Sequence, residues 1–351
     1  MSTLKIFVWS TKNSKWVDNS ILRYYNSFGD LMLKTEILNI IACNAPEYVS
    51  GQVLAQRLNV SRNAVWKAIN ELKNDGYTIE SSAKKGYRLS ALNEKISAAE
   101  ILRHTSFIKP VVFDALESTN DTARLLAQQN AAQGTTVIAN SQTKGKGRMG
   151  REFFSPEGGI YMSIVLKPQT NIENILFLTV AAAVAAAESI ENASGKKSEI
   201  KWVNDVYIEG KKVCGILTEG AICAETAQLE YAVLGVGINT VFCASAFPKQ
   251  LQTKAGGVFS SRATSEQKAC LIADFCIRFF EMYQNLDSRD FVSKYQSRSF
   301  LDGKTVEYYK NGEKQTAQVL KIDSEARLVV KNGQSTEILS SGDVQLEGFY
   351  E

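Results

Sequence analysis

Histidine is nearly absent from this 351-residue chain, and the one imidazole is His104. That excludes multi-histidine metal sites and disfavours a Ser-His-Asp triad. Paired cysteines are also missing. Cys43, Cys214, Cys223, Cys243, Cys270 and Cys276 are scattered without a CxxC spacing, which favours reduced thiols in a cytoplasmic protein over a disulfide frame or a zinc site. No apolar run has the length of a membrane span. The longest, ILFLTVAAAVAAA at 175–187, runs into Glu188 and reads as a buried core helix, so no membrane partner is expected. The opening MSTLKIFVWSTK lacks the apolar centre and small-residue cleavage site of a secretory signal. A large charge of one sign is missing too: a net +3 is too mild to show a nucleic-acid partner by itself, so distribution carries the information. What is there is an ordinary globular composition, long enough for two or three domains.

Residues 1–30 mix aromatics with Lys, Asn and Ser without a clear period and form an extension of unassigned role. Over 31–92 the pattern sharpens. KTEILNIIACN sets Ile37, Ile40 and Ile41 at helical spacing, and SGQVLAQRLNVSRNAVWKAINELKNDGY holds two further helical patterns separated by Asn59 and Val60. Ser50 and Ser61 are placed to accept the free amides of the two opening turns. In the second of these helices Val65, Ala68, Ile69 and Leu72 share one face, while Arg62, Asn63, Trp66, Lys67 and Asn70 fall largely on the other. YTIESSAKKGYRLS then alternates, turns at Lys84-Lys85-Gly86 and alternates again, as a hairpin does. This order predicts a winged helix-turn-helix, with Ser61, Arg62, Asn63, Trp66 and Lys67 as candidate DNA-binding residues and Lys84 and Lys85 reaching phosphate. The bland alternative is a solvated helix face and a charged turn.

Residues 93–302 mix strand patterns (PVVFDAL, TTVIAN, IYMSIVL, KVCGILTEG, LEYAVLGVGIN) with helices, the longest near 173–192, and predict a single mixed α+β domain. Near its start SAAEILRH carries a capping-box spacing, Ser97 answered by Glu100. From 303 to 351 short alternating strands are punctuated by Asn-Gly, Asp-Ser and Ser-Gly, and Asn311-Gly312 is a strong hairpin signal; a small closed β-barrel of SH3-like type is expected. The fold class is thus multidomain α+β.

The chemistry concentrates in QTKGKGRMGREFFSPEGG, 142–159. Gly145, Gly147 and Gly150 permit backbone angles and close approaches denied to other residues, and Lys144, Lys146, Arg148 and Arg151 supply charge for a phosphate or carboxylate. It is not a Walker A loop. On its own such a loop is equally a solvated surface or a nucleic-acid contact. ESTN at 117–120 offers compact hydrogen-bonding groups, or merely a helix cap. KWVND at 201–205 sets a cation, an amide and a carboxylate together; by itself it is equally a salt-bridged turn, and with the glycine loop it resembles a nucleotide and magnesium site. GKKVCGILTEG brings Lys212 into a strand, and GVGIN ends another strand with Gly235, Gly237 and Asn239.

With the winged helix, STN, the glycine loop, KWVND, GKKVCGIL, GVGIN and the terminal β segment in this order, the chain from about residue 33 to 350 resembles the bacterial bifunctional biotin–protein ligase and biotin operon repressor family. The resemblance implies biotin binding at Ser118, Thr119, Asn120, Gln142, Lys146, Gly147, Arg148, Lys212, Gly215 and Leu217. It implies ATP or adenylate binding at Arg148, Arg151, Lys201, Asn204, Asp205 and Asn239, with Asp205 serving Mg²⁺. Lys212 and Arg148 become the catalytic cations. Further implications are ATP and Mg²⁺ as cofactors, a biotin carboxyl carrier protein with an acceptor lysine, operator DNA, and a homodimer when liganded. Two positions depart from the family pattern: Lys146 stands where arginine is common, and Val203 where proline is common. A lipoate-type protein ligase and a non-enzymatic ligand-sensing regulator are the competing readings.

Overall fold

A computed structural model describes residues 28–91, 95–168, 174–222, 228–310, 312–340, 342 and 344–346. The extension expected at 1–30 therefore lies mostly outside the described residues. Helices α1 (Phe28–Cys43), α2 (Gly51–Leu58) and α3 (Arg62–Asn74) lead into a hairpin of β1 (Thr78–Ser82) and β2 (Gly86–Ala91). The caps are as the serines predict: Ser50 Oγ accepts from Val53 N at 3.2 Å and Ser61 Oγ from Ala64 N at 3.1 Å. Asn59, between α2 and α3, takes a left-handed φ of 52°, which turns the chain sharply enough to separate the two helices. Val65, Ala68, Ile69 and Leu72 are buried against Ile37, Leu38, Ile41 and Leu54, closing a small core of their own.

A short helix α4 (Ala98–Leu102) follows. Ser97 accepts from Glu100 N at 3.2 Å, but the reciprocal half of the capping box does not form. The Glu100 carboxylate turns instead to Tyr77 Oη at 2.6 Å and Arg103 Nη1 at 2.7 Å, tying the hairpin side of the winged helix to the following segment. Burial and the neighbouring Glu266 raise its carboxyl to about 7.

The centre of the molecule is a seven-stranded sheet. Its strands are β3 (Lys109–Phe113), β4 (Thr135–Ala139), β5 (Ile160–Leu166), β6 (Ser198–Lys201), β7 (Asp205–Ile208), β8 (Lys211–Ile222) and β9 (Leu229–Ile238), with α5 (Thr119–Gln128) between β3 and β4 and α6 (Ile175–Ser194) between β5 and β6. Their spatial order is β3-β4-β5-β9-β8-β7-β6, parallel only between β3 and β4. The sequence ILFLTVAAAVAAA sits in α6, whose residues Phe177 to Ala187 are all buried; it is a core helix, apolar all round because it is covered all round. Strand alternation then sorts the two faces. On β5, Ile160, Met162, Ile164 and Leu166 pack toward the α6 core, whereas Ser163 and Val165 meet α5. On β9, Leu234, Val236 and Ile238 belong to the α6 core, which leaves Gly235 and Gly237 on the α5 face.

Helices α7 (Lys249–Gln252), α8 (Ser265–Gln284) and α9 (Phe291–Arg298) follow, with α8 and α9 packed on α6. Five antiparallel strands end the described chain: β10 (Thr305–Lys310), β11 (Glu313–Ile322), β12 (Leu328–Asn332), β13 (Ser335–Leu339) and β14 (Val344–Leu346), ordered β13-β12-β11-β10-β14. Of the Asn311-Gly312 pair expected to turn the next hairpin, Asn311 lies outside the described residues, while on either side of it β10 and β11 pair with Lys310 opposite Glu313. The five antiparallel strands expected of a barrel are present, and among the described residues β13 and β14 are the two edges of their pairing. This sheet is not peripheral: Trp202 Nε1 donates to Ala326 O at 2.9 Å, and from α9 Tyr295 Oη donates to Val203 O at 3.0 Å.

Candidate active site

The cleft lies on the α5 face of the central sheet, under the glycine loop. Ser118 caps α5, its Oγ accepting weakly from Asp121 N at 3.5 Å, so Thr119 and Asn120 occupy the first helical turn with their side chains over β5 and β9. Both are buried, yet fully engaged. Gln142 Oε1 accepts from Thr119 N at 2.7 Å and Thr119 Oγ1 at 3.0 Å, and Gln142 Nε2 donates to Ser155 Oγ at 2.9 Å. Asn120 Nδ2 donates to Glu219 at 2.7 Å while its Oδ1 accepts from Ser163 Oγ at 2.6 Å. These side chains form a polar wall whose members fix one another's orientation.

The floor is made of glycine. Gly215 pairs with Gly237 and Leu217 with Gly235 across β8 and β9. A Cβ on Gly235 would sit 2.1 Å from Asn120 Oδ1, and one on Gly237 2.5 Å from the Phe153 ring. These glycines therefore permit close approach of side chains to the sheet. In the loop, by contrast, only Gly150 of the three glycines uses the left-handed region, at φ 74°, and Met149 adopts it as well at φ 55°. Gly145 and Gly147 serve packing and pairing instead: Phe153 N donates to Gly145 O at 2.8 Å, and Gly147 N to Arg151 O at 2.7 Å.

The cations converge from separate elements. Lys212 reaches out from β8 to within 2.7 Å of Asp205 Oδ1, at the start of β7, and lies 5.9 Å from the centre of the Phe153 ring. That Asp205 oxygen is buried and makes no directional hydrogen bond, so acceptor capacity remains beside an ion pair. Arg148 Nη1 donates to Asn204 Oδ1 at 3.3 Å, and Asn204 is itself held by Nδ2 donating to Ile216 O at 2.8 Å. Lys146 Nζ pairs with Asp121 at 2.6 Å. Protein carboxylates thus hold two of these cations, Lys146 of the loop and Lys212 of β8.

Of the expected site residues, Ser118, Thr119, Asn120, Gln142, Lys146, Gly147, Arg148, Arg151, Asn204, Asp205, Lys212, Gly215 and Leu217 all line this one cleft. Lys201 does not; it ends β6 opposite Asp205. Asn239 lines a neighbouring cavity together with Phe247, Arg262 and Lys268, and among the described residues its buried Oδ1 has no hydrogen-bond partner. Sequence reasoning missed Phe153, Glu219, Ser163 and Asp121. An aromatic pair inside a cationic glycine loop was the available signal for Phe153; Glu219 and Ser163 are legible only once strand alternation is known.

On the winged helix, Arg62, Asn63, Trp66 and Lys67 are exposed on α3, Trp66 at 59%. Lys84 and Lys85 are exposed in the hairpin turn, with Lys85 Nζ 5.7 Å from the Tyr48 ring centre. Ser61 is spent on its cap.

Residues 112–239 match the Biotin/lipoate A/B protein ligase family, and residues 35–88 match an HTH domain. Sheet and cleft are those of a ligase of this class joined to a helix-turn-helix. The chain is 33% identical over 322 residues to the Bifunctional ligase/repressor BirA of Bacillus subtilis, covering 90% of this chain and 98% of that protein. It is 31% identical over 195 residues to the Bifunctional ligase/repressor BirA of Escherichia coli, 55% of this chain and 60% of that one. The chain accordingly belongs to the bifunctional ligase/repressor BirA family. The biotin protein ligase from Aquifex aeolicus in complex with biotin and ATP shares the fold, with a TM-score of 0.57 at 24% identity over 68% of this chain and 98% of that one.

Proposed function

We propose that the protein joins biotin to ATP, forming biotinyl-5′-AMP and pyrophosphate, and then transfers biotin to a lysine of a biotin carboxyl carrier protein. The observation that carries this reading is the convergence of Lys212, Arg148 and Asp205 on a cleft already walled by Thr119, Asn120 and Gln142. A biotin carboxylate oxygen must attack the α-phosphorus, and the two anions repel until cations intervene. Lys212 can leave Asp205 for the carboxylate and the developing phosphoryl charge, and Arg148 can turn from Asn204 to the phosphate. Asp205 suits a Mg²⁺ held chiefly by the nucleotide phosphates, since its buried Oδ1 has unfilled acceptor capacity. Mg²⁺ would supply charge neutralisation on the departing pyrophosphate. In the second half-reaction the neutral lysine amine of the carrier attacks the acyl carbon, AMP leaves, and the proton passes to solvent. The glycine loop would cover the mixed anhydride and exclude water between the two steps.

In the same reading the winged helix makes the protein a biotin-responsive repressor in the cytoplasm, binding two-fold operator DNA as a liganded homodimer. Residues 31–92 would form the reader, 93–302 the ligase and 303–351 an SH3-like unit. Incubation with ATP, Mg²⁺ and biotin, followed by mass spectrometry, should reveal biotinyl-5′-AMP, and lipoate in place of biotin should yield none. Lys212→Ala should lower adenylate formation by about 10²-fold or more; an undiminished yield would show that the key cation is elsewhere.

A further inference from the structure

The cysteine spacing along the chain argues against zinc, and the single histidine against a histidine-rich site. Folding changes that account at one place. His104, just after α4, and Cys270, on α8, are 166 residues apart in sequence, yet Cys270 Sγ lies 3.8 Å from His104 Nε2. Glu266 stands one turn before Cys270 on the same face of α8, its Oε1 3.0 Å from His104 Nε2 and 3.9 Å from Cys270 Sγ. We infer that His104, Glu266 and Cys270 bind a thiophilic divalent cation, Zn²⁺ by the chemistry of the donors, where the winged helix meets the central sheet's helices.

The triangle of donor atoms has the right size. Tetrahedral Zn²⁺ bonds of about 2.0–2.1 Å to nitrogen or oxygen and about 2.3 Å to sulfur set donor atoms roughly 3.3–3.6 Å apart. The observed 3.0, 3.8 and 3.9 Å need adjustments of only a few tenths of an ångström. A fourth position would be left for water. The donors are also held from behind, as ligating side chains usually are. Glu266 Oε2 accepts from Arg103 Nη1 at 3.0 Å, leaving Oε1 for the cation, and Arg103 Nε donates to Asn39 Oδ1 of α1 at 2.7 Å. The first turn of α8 is fixed by a reciprocal capping box between Thr264 and Gln267. His104 N donates to Ile101 O at 3.0 Å, which sets the ring's place at the end of α4.

Charge and access agree with this assignment. One thiolate, one carboxylate and a neutral imidazole balance a divalent cation, and Arg103 is the facing positive group. The Cys270 thiol proton would pass to solvent as the cation binds. Cys270 is exposed and His104 retains a quarter of its side-chain surface, giving a path of entry. The cluster shares no residue with the ligase cleft, so the inference does not depend on the ligase reading.

The test is titration of the full chain, stripped of metal, with Co²⁺ and then Zn²⁺. One equivalent of Co²⁺ should bind, with a near-ultraviolet thiolate-to-cobalt band and the intense visible absorption of a tetrahedral site. Zn²⁺ should displace it. Cys270→Ser should remove the thiolate band, and His104→Gln should weaken binding at least about tenfold, while metal-free melting temperatures stay unchanged. A band of equal strength in Cys270→Ser would place the cation on another thiol, Cys43 and Cys243 also being exposed. That result, or wild-type protein giving no band, would overturn the assignment.

Discussion

Replacing Gly235 with alanine should damage the cleft by a mechanism that can be isolated. The added Cβ would lie 2.1 Å from Asn120 Oδ1, 2.9 Å from Asn120 Cγ and 3.1 Å from Asn120 Nδ2. Asn120 must therefore move by about an ångström to restore van der Waals contact. Normally the tip of a side chain yields cheaply, but this one is buried and fixed at both ends, by Glu219 at 2.7 Å and Ser163 at 2.6 Å. Losing both bonds leaves buried polar atoms unpaired, for about 2–4 kcal/mol in total. For a unit of this size that corresponds to a melting temperature lowered by about 5–15 °C. Biotin affinity measured by calorimetry should fall at least tenfold, since the wall is no longer preorganised. The decisive assay is a double-mutant cycle. Asn120→Ala removes the three nearest atoms that the new Cβ would meet, so Gly235→Ala added to Asn120→Ala should cost little further stability. If the two losses simply add, steric displacement of Asn120 is the wrong explanation.

Lys84→Ala/Lys85→Ala should reduce the slope of log affinity against log salt for generic duplex DNA by about 1.8, as loss of two phosphate contacts requires; fluorescence anisotropy across a salt series measures it, and an unchanged slope removes the hairpin tip from the interface. Tyr77→Phe deletes the hydroxyl shared by Glu100 and Ser97 and should destabilise the protein by about 1–3 kcal/mol in urea unfolding. Unaltered stability would mean that this seam contributes nothing to holding the winged helix in place.

Much of this was legible because the relevant physics is local. The buried faces of α1 and α3, the caps by Ser50 and Ser61 and the antiparallel pairing of β10 with β11 follow from spacing and side-chain chemistry within a few residues. The cleft was legible as a set of residue types, but not as a set of partnerships. That Lys146 rests on Asp121 and Lys212 on Asp205 depends on loop and strand placement that no local pattern specifies. Two expectations were displaced by longer-range forces. Glu100 abandons its capping role for Tyr77 and Arg103, because a buried carboxylate gains more from a phenol and a guanidinium than from one amide. The glycines of the loop and sheet act mainly by lacking a side chain, while Met149 takes a left-handed angle that composition assigns to glycine.

The bonds from Ala326 to Trp202 and from Tyr295 to Val203 make the last fifth of the chain a buttress for the turn that presents Asn204 and Asp205. Shortening the protein before β10 would remove one of those two props, and under the proposed function the loss would register first as weakened nucleotide binding, at a distance from the cut. Engineering that treats the terminal sheet as a convenient point for fusion or trimming therefore operates, unintentionally, on the turn that brings Asn204 and Asp205 to the candidate cleft.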